Sequence, residues 1–173
     1  MADYNILIIG AGPAGLCLAR SLSDTNIKIT IVEKQKTSAL ASPLYDGREI
    51  ALTHFSCGIL KKLGIWDSIP AKEISLIRDA KVLNGNSDYA LHFSHTETGK
   101  DNLGFMISNH AIRKAAYRAL INQKNVSFIT GAEVVAIDAA EHQSHATLSN
   151  GKTISASLVV AADSRFSATR RMM

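Results

Sequence analysis

The sequence has 173 residues, of which 46% are hydrophobic and 20% charged, and its formal net charge is +4. This composition is typical of a globular protein and excludes a disordered one. The lysines and arginines are scattered, which argues against a nucleic-acid-binding surface, and no apolar run reaches the ~20 residues that a membrane-spanning helix needs. The two cysteines form no Cys-x-x-C motif, so we expect reduced thiols and no metal site.

The first third of the chain begins with a strand–helix–strand pattern. Apolar runs predict buried strands at Tyr4–Ile9 and Ile27–Val32, and helical spacing predicts a helix at Pro13–Ser23. A glycine-rich turn at residues 10–15, Gly-Ala-Gly-Pro-Ala-Gly, joins the first strand to the helix, and Glu33 follows the second strand. The sequence therefore carries the G-x-G-x-x-G fingerprint of a dinucleotide-binding βαβ unit in the context that this fingerprint requires.

Each residue of this turn has a predicted task. Gly10 permits the tight turn, Gly12 lets the backbone approach a pyrophosphate, and Gly15 lets helix and strand pack closely. Pro13 suits the first helical turn, where a missing N–H costs nothing, and Ala14 follows it. We expect the positive end of the helix dipole to face the phosphates.

The acidic residue after the second strand indicates which nucleotide is bound. Glu33 stands at about the spacing at which a carboxylate accepts hydrogen bonds from a ribose 2′-hydroxyl. A glutamate there, with Lys34 beside it, favours a ribose without a 2′-phosphate and hence FAD or NAD over NADP. The alternative is a glycine-rich turn in some other α/β protein, and the flanking elements make it the less favoured interpretation.

The remaining elements alternate between helical and extended patterns. A polar loop is predicted at residues 35–47 and an extended segment at 48–52. Thr53 is the predicted N-cap of a helix that ends at Leu63, with Gly64 at the C′ position. Further predicted elements are a hairpin of Ala80–Leu83 and Tyr89–Phe93 around Asn84-Gly85-Asn86, a strand at Gly104–Ile107, a helix from Ser108 or Asn109 to about Gln123, a parallel strand at Val126–Ile129, an antiparallel meander of Ala132–Asp138, Ser144–Leu148 and Thr153–Ile154, and a last buried strand at Leu158–Ala162.

Two further residues are candidate ligand contacts. Asp163 follows the last buried strand, where α/β sheets bind ligands, and it could bond a ribose, order a loop near a pyrophosphate or cap a helix. Arg48 could place its guanidinium fork on a pyrophosphate oxygen, although an isolated arginine is more often a surface residue. The pairs His92/His95 and His142/His145 lie in predicted strands or turns without a third ligand, so we interpret them as surface residues.

Three segments together resemble the FAD-dependent aromatic-ring hydroxylases, and within them the ubiquinone-biosynthesis hydroxylases. The first is the glycine-rich turn with Glu33. The second is Asp-Gly-Arg-Glu-Ile-Ala-Leu at residues 46–52, followed by Leu63-Gly64-x-Trp66. The third is Ala-Ala-Asp-Ser-Arg-Phe-Ser-Ala-Thr-Arg at residues 161–170, in which Ser164 stands where the family has glycine.

This resemblance implies an FAD site. It assigns Gly10, Gly12 and Gly15 to the pyrophosphate and Glu33 to the adenosine ribose. It assigns Arg48 to an FAD phosphate and to NAD(P)H, and Ser108 with Arg113 to the flavin side of the site. Val134 and Val135 would flank the adenine, and Asp163 would contact FAD and NAD(P)H.

The resemblance also implies a fold and an extent. We expect an α/β, Rossmann-like FAD/NAD(P)-binding fold with a parallel sheet and an antiparallel meander, plus the start of a sheet-rich substrate region. Residues 1–173 would be a truncated FAD-binding domain, with 74–104 as a partial substrate-domain insertion. The family's later Gly-Asp motif has no counterpart in the sequence, so we expect this chain to be inactive alone.

The implied activity is a flavin monooxygenase that hydroxylates an aromatic ring of a ubiquinone precursor, with FAD as cofactor and NAD(P)H and O₂ as co-substrates. The substrate would be a small aromatic or prenylated phenol or quinol. We expect a cytoplasmic location, with peripheral association to the inner membrane or a ubiquinone-synthesis assembly as an open possibility, and no nucleic-acid partner. The alternatives are another FAD- or NAD-dependent oxidoreductase and a non-catalytic module of such an assembly.

Overall fold

The computed structural model describes residues 5–164 and 166–172. Tyr4, predicted to open the first strand, and Arg165 of the third motif segment lie outside the described residues. Backbone contacts divide the chain into two compact units, Met1–Leu44 with Arg113–Met173 and Tyr45–Ile112.

The secondary structure follows the predicted order closely. Numbered along the chain, the helices are α1 (Pro13–Leu22), α2 (Thr37–Ala41), α3 (His54–Lys62) and α4 (Asn109–Arg118). The strands are β1 (Asn5–Ile9), β2 (Lys28–Glu33), β3 (Glu49–Leu52), β4 (Ile74–Ile77), β5 (Asp79–Leu83), β6 (Ala90–Ser94), β7 (Gly104–Ser108), β8 (Val126–Thr130), β9 (Val134–Asp138), β10 (Ser144–Leu148), β11 (Thr153–Ala156) and β12 (Leu158–Ala161).

A parallel sheet forms the centre of the first unit. Its strand order is β12-β1-β2-β8, and every neighbouring pair is parallel. Leu7, Ile8 and Ile31 are completely buried, as the continuous apolar runs predict for strands covered on both faces. The chain leaves β1 towards β2 on one side, while β12 returns on the other, so the carboxyl ends of β1 and β12 form a topological switch point, where ligands bind in such sheets.

An antiparallel meander completes the hydrophobic core of the first unit. The meander pairs in the order β11-β10-β9, as the alternation and turn signals predict. Val134 and Leu148 of the meander share one buried cluster with Leu7, Val32 and Val159 of the parallel sheet. The predicted α/β fold with a parallel sheet and a meander is therefore confirmed.

The second unit contains two small antiparallel sheets. Strand β7 lies between β3 and β4, and β5 pairs with β6 in the predicted hairpin. The strands stop before the Asn84-Gly85 turn, so the connection is longer than the two-residue loop that this dipeptide favours. The assignment of residues 74–104 to a substrate-domain insertion stays a prediction.

Two helices differ from the sequence-based expectation. Helix α2 lies inside the predicted polar loop because Leu40, which is 2% exposed, fixes one helical turn against the core. Helix α4 ends at Arg118 rather than near Gln123 because the N–H of Leu120 donates to the carbonyl of Tyr117, a tighter bond than the α-helical one. No helix within the described ranges is long and apolar enough to cross a membrane.

The predicted cap of α3 is present. The Thr53 side chain accepts a hydrogen bond of 3.2 Å from the N–H of Ser56, and Gly64 adopts a left-handed φ of 67° just past the helix. We expect Thr53→Ala to lower the free energy of unfolding by about 1 kcal/mol, because the N–H of Ser56 loses its hydrogen-bond acceptor. Chemical denaturation would measure the change. The matched control is Thr96→Ala, which removes an exposed hydroxyl that bonds only the Ser94 hydroxyl among the described residues and caps no α-helix.

Candidate nucleotide-binding site

Gly10 lies directly at the switch point. Its φ is 108°, and its N–H donates to the carbonyl of Val32 over 2.8 Å. A Cβ atom at this position would lie 2.5 Å from the carbonyl oxygen of Ala162 and 3.1 Å from the Cα of Asp163. Glycine is therefore required here by the protein itself, because both the backbone angle and the close approach of β12 exclude a side chain.

The other two glycines of the turn differ sharply in their surroundings. A Cβ at Gly15 would overlap the carbonyl oxygen of Gly10, so the packing of α1 against the turn also requires glycine. Gly12 has an extended backbone that any residue adopts, and a Cβ there would lie more than 4 Å from every neighbouring atom in the part of the chain that the structure describes. Packing against the described residues therefore does not require glycine at position 12. Glycine suits an N-cap, and it also allows the close backbone approach that a pyrophosphate needs.

The N-terminus of α1 is suited to an anion. Gly12 is the N-cap, no side chain among the described residues caps the helix, and Pro13 and Ala14 occupy its first turn as predicted. The helix has ten residues, and its first N–H groups carry the positive end of its dipole. A pyrophosphate beside Gly12 would satisfy these donors, so the residues present fit a dinucleotide.

Glu33 is buried at the end of β2, 8% exposed, and has a role that the sequence did not reveal. Its Oε2 accepts the N–H of Ala11 over 2.7 Å, and its Oε1 accepts the N–H of Gln35 over 2.9 Å. Each carboxylate oxygen can accept a second hydrogen bond, so both remain able to receive the hydroxyls of a ribose. The same side chain thus fastens the glycine-rich turn to β2 and offers acceptors to a ligand.

Gln35 links this acid to a predicted cofactor residue. Nη2 of Arg113 donates to the side-chain oxygen of Gln35 over 2.6 Å, while the Arg113 Nε is buried without a partner among the described residues. Lys34, between Glu33 and Gln35, is exposed. Gln35 was not predicted, although its position two residues after the ribose-binding acid is the signal that would have found it.

The two predicted adenine contacts lie on opposite faces of β9. Val134 is 8% exposed and belongs to the hydrophobic core, whereas Val135 is 51% exposed. This follows from the alternation of side chains along a strand. Val135 therefore has the accessible side chain, and the predicted contact of both residues with the adenine stays a prediction.

Asp163 orders the segment that follows β12. Its Oδ2 accepts the N–H of Thr169 over 3.1 Å and the Thr169 hydroxyl over 2.8 Å. Burial would raise the pKa of Asp163, but hydrogen bonds from the following loop, Thr169 included, hold it below its usual value. Ser164 has a φ of 88°, a left-handed conformation that favours the glycine expected there.

Arg48 belongs to the second unit and is held by Asp46. Its Nε donates to Oδ2 of Asp46 over 2.9 Å, its Nη2 donates to the same oxygen, and its backbone N–H donates to Oδ1 over 3.1 Å. Asn109 donates to Oδ2 from its side-chain nitrogen over 2.8 Å. Hydrogen bonds from the Arg48 side chain are the largest cause that lowers the pKa of Asp46, to about 2.

This arrangement predicts how Asp46 responds to acid. Because its folded pKa of about 2 lies below the ordinary 3.8, its stabilising effect is present above the ordinary value and is lost as pH falls through about 2. We expect Arg48→Met to raise the pKa of Asp46 towards 3.8, measured by carboxyl-carbon NMR titration. An unchanged titration would contradict the pairing, and Arg78→Met is the matched control.

Ser108 is buried in the second unit at the end of β7. Its hydroxyl donates to Oε2 of Glu73 over 2.9 Å, and Nε2 of His110 lies 4.0 Å from the same oxygen. Its hydroxyl proton is thus directed to a protein carboxylate. The predicted place of Ser108 on the flavin side stays a prediction.

The histidine pairs and the thiols have ordinary surroundings. His92 lies 3.5 Å from Asp79, and Nδ1 of His145 lies 2.9 Å from the Ser155 hydroxyl. Within the described ranges, no three His, Cys, Asp or Glu side chains lie close enough together to hold a metal ion. Cys17 is half-buried and Cys57 buried, both are free, and burial raises the pKa of each thiol.

The fold and the glycine-rich turn define a nucleotide-binding α/β protein, and comparison with known proteins identifies its class. Residues 3–173 match the FAD binding domain family, and the chain belongs to that family. Among curated proteins, it is 49% identical over 173 residues to ubiquinone hydroxylase UbiM of Neisseria meningitidis, and 31% identical over 166 residues to ubiquinone hydroxylase UbiL of Rhodospirillum rubrum. The resemblance to ubiquinone-biosynthesis hydroxylases is therefore confirmed.

The alignments cover most of this chain but a minor part of each relative. They include 98% and 96% of the chain and 38% of each hydroxylase. Among solved structures, p-nitrophenol 4-monooxygenase PnpA of Pseudomonas putida DLL-E4 superposes with a TM-score of 0.76 at 19% identity, over 98% of this chain and 43% of that one. This structural likeness supports the fold.

Proposed function

We propose that this chain is the FAD-binding portion of a flavin monooxygenase that hydroxylates an aromatic ring of a ubiquinone precursor, using NAD(P)H and O₂. The observation that carries the proposal is Gly12, where the described residues leave open space beside the N-terminus of α1 that a pyrophosphate can approach, in a chain 49% identical to a ubiquinone hydroxylase. The substrate is a small aromatic or prenylated phenol or quinol. Contact with the inner membrane or with a ubiquinone-synthesis assembly belongs to the proposal.

The residues of the first unit account for the adenosine half of the cofactor. The N-terminal N–H groups of α1 donate to the pyrophosphate beside Gly12, and Glu33 accepts the hydroxyls of the adenosine ribose. Val134 and Val135 flank the adenine, and Asp163 holds the loop at the switch point. The buried Nε of Arg113 has an unused donor for the flavin side.

The residues of the second unit account for charge and for the flavin side. Arg48 binds a phosphate of FAD and assists NAD(P)H, because a guanidinium is permanently charged and forks onto phosphate oxygens. Ser108, the last residue of β7, lies on the flavin side of the site. When bound, FAD supplies the redox and oxygen chemistry, so the side chains bind, orient and exclude water, and none is named as catalytic.

Titration of the purified full-length protein with FAD tests the proposal. We expect quenching of flavin fluorescence on binding and an upward shift of the unfolding midpoint, since FAD at ~100 times its Kd stabilises by about 2.7 kcal/mol. The rate at which a prenylated phenol is hydroxylated, measured once with NADH and once with NADPH, tests the reaction. No flavin binding would refute the proposal, and binding with reduction of another acceptor but no hydroxylation would favour a different oxidoreductase.

A further inference from the structure

The segment Asp46-Gly47-Arg48 forms a turn that is held by hydrogen bonds between its first and last residues. The Asp46 carboxylate receives the backbone N–H, the Nε and the Nη2 of Arg48. Gly47 has a φ of 71°, which lets the chain turn back so that residue 48 reaches the carboxylate two residues before it. The sequence Asp-Gly-Arg therefore specifies both a turn and the orientation of a guanidinium.

The pairing of Arg48 with Asp46 occupies one edge of the guanidinium and leaves the other edge available to a ligand. An arginine side chain presents its donors as a planar fork, and Asp46 occupies the edge made by Nε and Nη2. The edge that includes Nη1 has no hydrogen bond to any described residue, and the Arg48 side chain is 64% exposed. A second anion can therefore bind in the same plane without breaking the pair, as phosphates bind to arginine.

Asn109, the first residue of α4, makes two hydrogen bonds to the segment Asp46-Gly47-Arg48. Its backbone N–H donates to the Arg48 carbonyl over 2.8 Å, and its side-chain nitrogen donates to Asp46 Oδ2 over the same distance. Asn109 itself is 2% exposed, so the anchor is fixed by its surroundings. Both ends of the three-residue segment are thus attached to one buried residue.

We propose that Asp46 and Asn109 are positioning residues that hold the Arg48 guanidinium with its Nη1 edge ready for a phosphate oxygen of the bound cofactor. The inference rests on the proposed function, which assigns Arg48 to that phosphate. Its physical basis is preorganisation, because a side chain that is ordered before binding does not lose its rotamer freedom on binding. Neither Asp46 nor Asn109 contacts the cofactor in this scheme.

The competing effect of Asp46 is charge cancellation, and the two effects have opposite signs. If Asp46 mainly neutralises Arg48, then Asp46→Asn removes the negative charge beside the guanidinium, and FAD binds more tightly. If Asp46 mainly orders Arg48, the same variant frees the guanidinium and FAD binds more weakly. The exposed pair lies in high dielectric, where the Coulomb effect is small, so ordering is expected to prevail.

The experiment is a double-mutant cycle on the full-length protein, with the FAD Kd measured by fluorescence quenching. We expect Asp46→Asn to weaken binding about tenfold, the cost of ordering one long side chain, and Arg48→Met to weaken it at least as much. In the Arg48→Met background, Asp46→Asn should have no further effect. Asp101→Asn, an exposed acid elsewhere in the second unit, is the matched control.

A second measurement does not depend on cofactor. The Nε–H NMR signal of Arg48 should be observable in the wild type and exchange-broadened in Asp46→Asn, with Asn109→Ala showing a smaller effect in the same direction. Tighter or unchanged FAD binding by Asp46→Asn, or an equal loss in the Arg48→Met background, would overturn the proposal. Unchanged binding by Arg48→Met would overturn it too, whereas a wild type without FAD affinity would refute the proposed function itself.

Discussion

Gly12→Val is expected to weaken FAD binding roughly 100-fold or more, equivalent to about 2.8 kcal/mol, while leaving the fold intact. The structure explains both halves of this result. A Cβ at position 12 meets no atom of the described residues within 4 Å, and the extended backbone there accepts valine, so the free energy of unfolding should change by about 1 kcal/mol at most. The added methyl groups instead occupy the space that a pyrophosphate needs. Flavin fluorescence titration and thermal unfolding of the same samples measure the two quantities.

Two other glycines provide the comparison. Gly58 in α3 also faces open space, so Gly58→Val adds the same side chain without touching the nucleotide site and should leave the Kd unchanged. Gly10→Val should show the reverse pattern to Gly12→Val, a loss of folding, because its Cβ would lie 2.5 Å from the Ala162 carbonyl oxygen. Full FAD affinity in Gly12→Val would contradict the pyrophosphate site.

Glu33→Ala is expected to reduce both stability and cofactor affinity. The substitution removes an acceptor from the N–H groups of Ala11 and Gln35, and hydrogen bonds to a charged group are worth about 1.5–3 kcal/mol in stability. Loss of the ribose acceptors, together with a loosened glycine-rich turn, should weaken FAD binding by roughly 10–100-fold. Chemical denaturation without FAD isolates the first effect, and titration at a temperature where both proteins are folded isolates the second.

The matched control for this change is Glu141→Ala. Glu141 is exposed in the connection between β9 and β10, so its removal should alter neither quantity. An unchanged unfolding free energy in Glu33→Ala would contradict the fastening role of this side chain. An unchanged FAD Kd would contradict its ribose-binding role.

The sequence predicted the parallel sheet and the meander because both depend on local patterns. Continuous apolar runs, a glycine-rich turn and alternating strands separated by Asn-Gly specify their elements within a few residues of chain. Helix α2 was missed because its single buried residue, Leu40, stands among polar residues in the sequence. Leu40 packs against the core only in the folded protein, so no local pattern indicates the helix. Strand β4 was missed for a related reason, since its pairing with β7 joins segments that are distant in sequence.

Prediction of the site was limited in the same way. The motif identified Gly10, Gly12, Gly15 and Glu33, but it could not show that packing against the described residues requires glycine at positions 10 and 15 and not at position 12. The spacing of Glu33 suggested a ribose and concealed its hydrogen bond to Ala11, which crosses from β2 to the glycine-rich turn. Side-chain pairs such as Arg113 with Gln35 depend on tertiary structure, and a single sequence carries no record of them.

The pairing of β1 with β12 has a consequence for how the protein is made. The glycine-rich turn emerges first from the ribosome, yet Ala162 and Asp163 complete its surroundings, and Asn5 bonds Ser155 and Ser157 across almost the whole chain. Such long-range closure is slow because its entropic cost must be met before the contacts form. During synthesis the nucleotide cradle is therefore incomplete until β12 has been translated, and FAD can act as a folding ligand only after that point.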